Sequence, residues 1–180
     1  MGYKILGDEE KLDVDLKQAA INSGIAGGIA SVSYAIEHIF YQNEKRDDFD
    51  VEKIKGKLKT EPDTAYFWSG RTDGVGGAET AKNIAKSNGG VTLEYLIEKE
   101  NIDIPEWDFN KPETMKAWQL ASDAYAEQVS GNVTAVVGKN LRDGNIWENV
   151  ELPRLKNNDN VSKITIIDPK TNEKSIIFER

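Results

Sequence analysis

The 180-residue chain has no cysteine, a single histidine, His38, and no surplus of positive charge. Without cysteine there are no disulfides, thiol nucleophiles, thiolate-bound zinc ions or iron–sulfur clusters. With one histidine, a Ser-His-Asp arrangement has one candidate base, and a zinc site would have to recruit carboxylates. The 23 Lys and Arg stand against 31 Asp and Glu, a net charge of −8 spread evenly along the chain. No basic arm is available to follow a phosphate backbone, so no nucleic-acid partner is expected. No basic segment followed by an apolar core and a small-residue cleavage site is visible either, so no secretory signal is expected. What the chain does have is carboxylate and indole, the latter at Trp68, Trp107, Trp118 and Trp147. Chemistry on this chain is expected to run on carboxylates and aromatic rings.

The pattern along the chain changes near Thr64. Residues 18–36 carry no charge, and Ile21, Ile25, Ile29, Val32, Ile36 and Ile39 recur at helical spacing. Gly24, Gly27 and Gly28 would let another backbone approach this helix closely. Two readings stand: a small-residue helix packed on its neighbours, or a segment that touches membrane during delivery, Gly24 and Gly28 forming a GxxxG pair. His38, near its end, reads as a cap or a half-buried surface residue. Residues 43–63 are dense in charge, with a short helix expected over Val51–Lys59. The expected organisation is a helical amino-terminal lobe, 1–63, and an α/β lobe, 64–180.

In the second part a strand is expected at Ala65–Trp68, then a glycine-rich loop, Gly70 to Gly77, and a helix over Ala78–Ser87. Strands are expected at Val91–Glu94 and Val133–Val137. A helix running from Pro112 to about Gln128 is opened by proline and closed by Ser130-Gly131. Val150–Leu152 reads as a short extended piece stopped by Pro153, followed by strands at Val161–Ile167 and Ser175–Phe178. Strands alternating with helices imply a mainly parallel sheet, whose ligands bind beyond the carboxyl ends of the strands. That rule singles out Trp68-Ser69, Glu94, and the stretch from Trp147 to Glu151. Two carboxylates among indoles suit a flat, cationic ring. The glycine-rich loop reads equally as a phosphate cradle and as a simple tight turn.

Five segments carry a family resemblance: Phe67-Trp68-Ser69-Gly70, Thr92-Leu93-Glu94, Trp118 to Ala126, Ser130-Gly131-x-Val133, and Val150-Glu151-Leu152-Pro153-x-Leu155. In this order, over Tyr66–Pro169, the chain resembles the ADP-ribosyl cyclase / NAD glycohydrolase family. The resemblance implies a helical amino-terminal lobe and a carboxy-terminal lobe with a four-stranded, mainly parallel sheet. It makes Glu151 the catalytic glutamate, Trp68 and Trp118 the rings that stack nicotinamide, and Ser122 the hydroxyl beside the reacting ribose. Glu94, and Asp103 nine residues on, fall at acids on the nicotinamide side. Trp107 falls on a family tryptophan, and Trp147 replaces a phenylalanine near ribose and phosphate. Ser69 completes the first motif. The basic residue expected directly after it is Gly70, with Arg71 one step later, and Ile146 stands where a polar phosphate-holding residue is expected.

The implied activity is NAD glycohydrolysis to ADP-ribose and nicotinamide, with NAD as substrate and no cofactor or metal. The alternatives are a cyclase making cyclic ADP-ribose and, given Ile146 and the displaced Arg71, a non-catalytic nucleotide- or partner-binding domain. A cysteine-free member is similar to toxin domains of the contact-dependent inhibition type. Such a domain is made by a bacterium as part of a larger secreted protein, acts in the target-cell cytoplasm, and is held by a cognate immunity protein in the producer.

Overall fold

The structure, a computed structural model, describes residues 49–180. The helix expected over the glycine-bearing stretch, His38 and most of the expected amino-terminal lobe lie outside the described residues. From Phe49 onward the chain builds an α/β unit around a sheet of five strands in the order β4-β1-β5-β6-β7. They are β1 (Ala65–Ser69), β4 (Val91–Thr92), β5 (Gly131–Val137), β6 (Val161–Ile167) and β7 (Lys174–Glu179). The first four are parallel, and β7 returns antiparallel on β6. The mainly parallel sheet is therefore as expected, with a fifth strand rather than four in all. β7 turns back because the link after Ile167 is a short hairpin, whereas a parallel return would need a long crossover. Asp168 builds that turn, its Oδ1 accepting from the Lys170 and Thr171 amides and its Oδ2 from the Thr72 hydroxyl.

The helices follow from local signals. After α1 (Glu52–Lys55), a 3₁₀ turn over Gly56–Leu58 completes the segment expected at 51–59, and it buries Ile54 and Leu58 in the same core as Phe67 and Tyr125. Next come α2 (Ala78–Ser87), α3 (Leu93–Lys99) and α4 (Pro112–Gln128). α4 starts on a proline, whose missing N–H costs nothing in the first turn. Its far end is satisfied by Asn158, whose amide donates to the Ala126, Glu127 and Val129 carbonyls at 3.0, 3.2 and 3.0 Å. The fully buried Tyr125 ties α4 to the sheet through its hydroxyl, 2.9 Å from the Val91 carbonyl.

Two expected strands are corrected. Val91–Glu94 is a strand only as far as Thr92, whose hydroxyl accepts from the Tyr95 amide and caps α3, so Glu94 sits in a helical first turn. Val150–Leu152 is helical: Trp147–Glu151 is a five-residue π-helical turn running into α5 (Leu152–Asn157). Pro153 is in the first turn of α5, a position proline favours, and does not stop a strand. The glycine-rich loop holds a small antiparallel hairpin, β2 (Arg71–Thr72) with β3 (Val75–Gly76).

Candidate active site

A cleft of about 720 Å³ opens where β1 ends, where α3 begins and where the π-helical turn leads into α5. This is the carboxyl-end position expected of a parallel sheet. Trp68 and Ser69 come from the end of β1, Glu94 from α3, Trp118 and Ser122 from α4, and Trp147 and Glu151 from the π-helical turn. Trp118 and Ser122 share a helix face because they are four residues apart. Arg71 also lines the cleft, so eight of the nine candidate residues converge there. Asp103 is exposed and does not line it.

The carboxylates have opposite surroundings. Glu151 is 7% exposed, and burial pushes its carboxyl up to about 8 from an ordinary 4.5. The Ser122 hydroxyl donates to it and partly offsets that rise, while the charge of Glu94 adds to it. Glu94 accepts the Trp68 indole N–H at Oε1, 2.6 Å away, and its buried Oε2 has no hydrogen-bond partner. A buried carboxylate oxygen without a donor leaves an unmet electrostatic demand in the wall of the cleft. A cationic ring or a ligand N–H would meet it.

The indoles divide their work. Trp118 is half-buried and its Nε1 donates to the Pro105 carbonyl at 2.8 Å, tying the 101–111 connection to α4. Trp147 is 2% exposed and packs on Phe67 with ring centroids 6.1 Å apart, so most of its surface belongs to the core. Arg71 donates Nη1–H bonds to the Gly74 and Gly76 carbonyls at 3.2 and 3.1 Å, which pins its guanidinium to its own hairpin. Gly70 explains the absent basic side chain before it. Its φ is +65°, and a Cβ would lie 2.6 Å from the Asn140 carbonyl oxygen, so no larger residue fits without movement.

Several cleft residues were not singled out in the sequence. Asn145 is buried beneath the π-helical turn: its amide donates to the Arg142 carbonyl at 2.8 Å and to Glu148 at 2.6 Å, and its Oδ1 accepts the Glu148 amide at 3.0 Å. The Ser69 hydroxyl reaches the same oxygen at 3.5 Å, joining β1 to the turn that carries Glu151. Arg142 and Phe109 line the mouth of the cleft with Trp107. Of these only Trp107 is marked in the sequence, through the family resemblance, and nothing local marks Phe109, Arg142 or Asn145.

No family model and no curated protein matches the chain. Among solved structures it is similar to an ADP-ribosyl cyclase complexed with N1-cIDPR, at 21% identity, TM-score 0.45, over 61% of this chain and 51% of that one. It is also similar to the Aplysia cyclase complexed with substrate NGD and product cGDPR, at 23% identity, TM-score 0.45, over 61% and 50%. A glutamate-to-alanine mutant of ADP-ribosyl cyclase gives 20% identity, TM-score 0.47, over 68% and 57%. The chain thus spans about half the length of these structures.

Proposed function

We propose that the chain cleaves the nicotinamide–ribosyl bond of NAD, releasing nicotinamide and ADP-ribose. The observation that carries this reading is the convergence of Glu151 and Glu94 with Trp68, Trp118 and Ser122 in one cleft. Nicotinamide in NAD is a cationic leaving group. When its bond to C1′ breaks, the electron pair leaves with the ring nitrogen and neutralises it, so no general acid has to protonate it. The positive charge then moves to the ribosyl centre. Glu151 as carboxylate stabilises that cation, Ser122 holds the carboxylate, and Trp68 and Trp118 offer ring faces to the pyridinium. Glu94 supplies an acceptor whose second oxygen has no internal donor. Water adds at C1′ and gives its proton to the Glu151 carboxylate, giving ADP-ribose and returning Glu151 to its protonated form.

In the free cleft Glu151 holds a proton at neutral pH. A bound cation favours its release, so substrate generates the carboxylate that the reaction needs. The same reading extends to biology: a domain that depletes NAD in the target-cell cytoplasm as part of a larger secreted bacterial protein, neutralised in the producer by an immunity protein. Its support is the five-segment resemblance together with the absence of cysteine, which suits a reducing compartment.

The test is incubation of the full chain with NAD and chromatography of the products. Nicotinamide and ADP-ribose are expected, and Glu151→Gln should lose more than ~100-fold in rate while keeping its circular dichroism spectrum. Full activity in Glu151→Gln sinks its assignment. Cyclic ADP-ribose as main product replaces hydrolase with cyclase, and binding of NAD without turnover leaves a nucleotide-binding domain.

A further inference from the structure

The cleft has acidic groups at Glu94 and Glu151 and two cationic residues in its lining, Arg71 and Arg142. They are not equivalent. Arg71 is bonded to the Gly74 and Gly76 carbonyls. Arg142, on the connection after β5, instead has its guanidinium against aromatic faces, 4.4 Å from the Phe109 ring centroid and 5.6 Å from that of Trp107. The two rings meet edge to face at 5.4 Å, and Phe109 is 60% exposed. A guanidinium stacked on a ring still has in-plane N–H groups to offer, and its planar fork matches phosphate oxygens. The rings restrict its rotamers before any ligand arrives, so less freedom is lost on binding.

We infer that Arg142, held by Phe109 and Trp107, is the diphosphate-binding residue of this cleft, in place of the pinned Arg71. The inference rests on the dinucleotide reading above and adds to it the residue that receives the anionic part of the substrate. In a chain of net charge −8, a diphosphate needs a dedicated cation to approach. Arg142 is the one in the lining whose guanidinium is set on ring faces rather than on backbone carbonyls. Ile146, which lines the cleft four positions later on the same connection, supplies no polar side chain.

The experiment compares binding of ADP and of nicotinamide riboside, which has no phosphate, to the wild-type chain, Arg142→Ala and Arg142→Lys by titration calorimetry. Loss of a charge-assisted bond to phosphate should weaken ADP roughly tenfold to a hundredfold in Arg142→Ala. Arg142→Lys, which keeps charge but not the fork or the stacking, should fall between. Riboside affinity should stay within about twofold, because a phosphate contact is absent from that ligand. ADP affinity unchanged in Arg142→Ala, no ADP binding by wild type, or equal losses for ADP and riboside would each overturn the inference. Equal losses would make the residue a latch between the two connections. Failure of the NAD-cleaving reading is a separate result, seen as no nicotinamide release by wild type, and leaves the ADP comparison readable.

Discussion

Burial sets the behaviour of Glu151 before any ligand arrives. A carboxyl held near 8 is mostly protonated at pH 7 in the free cleft, and the proposed reaction needs the ionised form to stabilise a ribosyl cation. kcat/KM, which reports the free enzyme, should therefore rise about tenfold per pH unit below that value and level off above it. kcat reports the complex, where the cationic ring favours ionisation, so its rise should fall at lower pH. Replacing Glu94 with Gln removes one cause of the shift, the neighbouring negative charge, and should move the kcat/KM limb to lower pH. Rate profiles from pH 5 to 9 on both proteins check this, and a limb unmoved in Glu94→Gln would remove the coupling between the two acids. That Glu151 and Glu94 belong together was legible in the sequence from their places after strands. The rise in pKa was not, because it comes from burial and from a serine 29 residues earlier on another helix.

At the scale of elements, the sequence spoke clearly where an end is marked. α2 and α4 were legible to the residue at their starts, the latter through Pro112. It misled where a short apolar run could serve either state. Val91–Glu94 and Val150–Leu152 both read as strands, and in both the chain turns helical, under a threonine cap in one case and through a π-helical turn in the other. These errors fall on the segments that carry the two acids. π-helical turns recur at functional sites because the extra residue in the turn re-aims a side chain. Here Asn145 holds that turn at its start. Asn145→Ala removes its donors to Arg142 and Glu148 and leaves the part-buried Glu148 amide without its side-chain acceptor. The expected cost is about 1–3 kcal/mol of stability. The turn also carries Glu151, so kcat should fall along with the thermal midpoint. Calorimetry and NAD turnover on one preparation check both, and a midpoint drop with unchanged kcat would confine Asn145 to a structural role.

For the whole molecule, two carboxyl groups pull stability in opposite directions with pH. Asp168, at the β6–β7 turn, accepts from Thr171, Thr72 and Lys170, and these bonds lower its pKa to about 2 from an ordinary 3.8. Between those values the unfolded chain binds more protons than the folded one, so stability rises with pH. The contribution is complete above about 4 and is lost as pH falls toward about 2. Glu151 has the reverse sign. Between 4.5 and about 8 the unfolded chain gives up a proton that the folded cleft retains, so stability falls as pH rises. In the proposed reaction, Glu151 thus costs the fold stability at the pH where its carboxylate is needed, a cost that its burial imposes. Glu151→Gln should melt higher than wild type, with a gap near zero at pH 4.5 that widens toward pH 8. Asp168→Asn should melt lower above pH 4, with a gap that closes as pH approaches 2. The two groups share no hydrogen-bond partner, so the double variant should show the sum of the two shifts. Differential scanning calorimetry of the four proteins across pH 2–9 measures all of this. A Glu151→Gln gap that stays flat with pH would mean that Glu151 is ionised in the free cleft, and the substrate-driven release of its proton would fall with it.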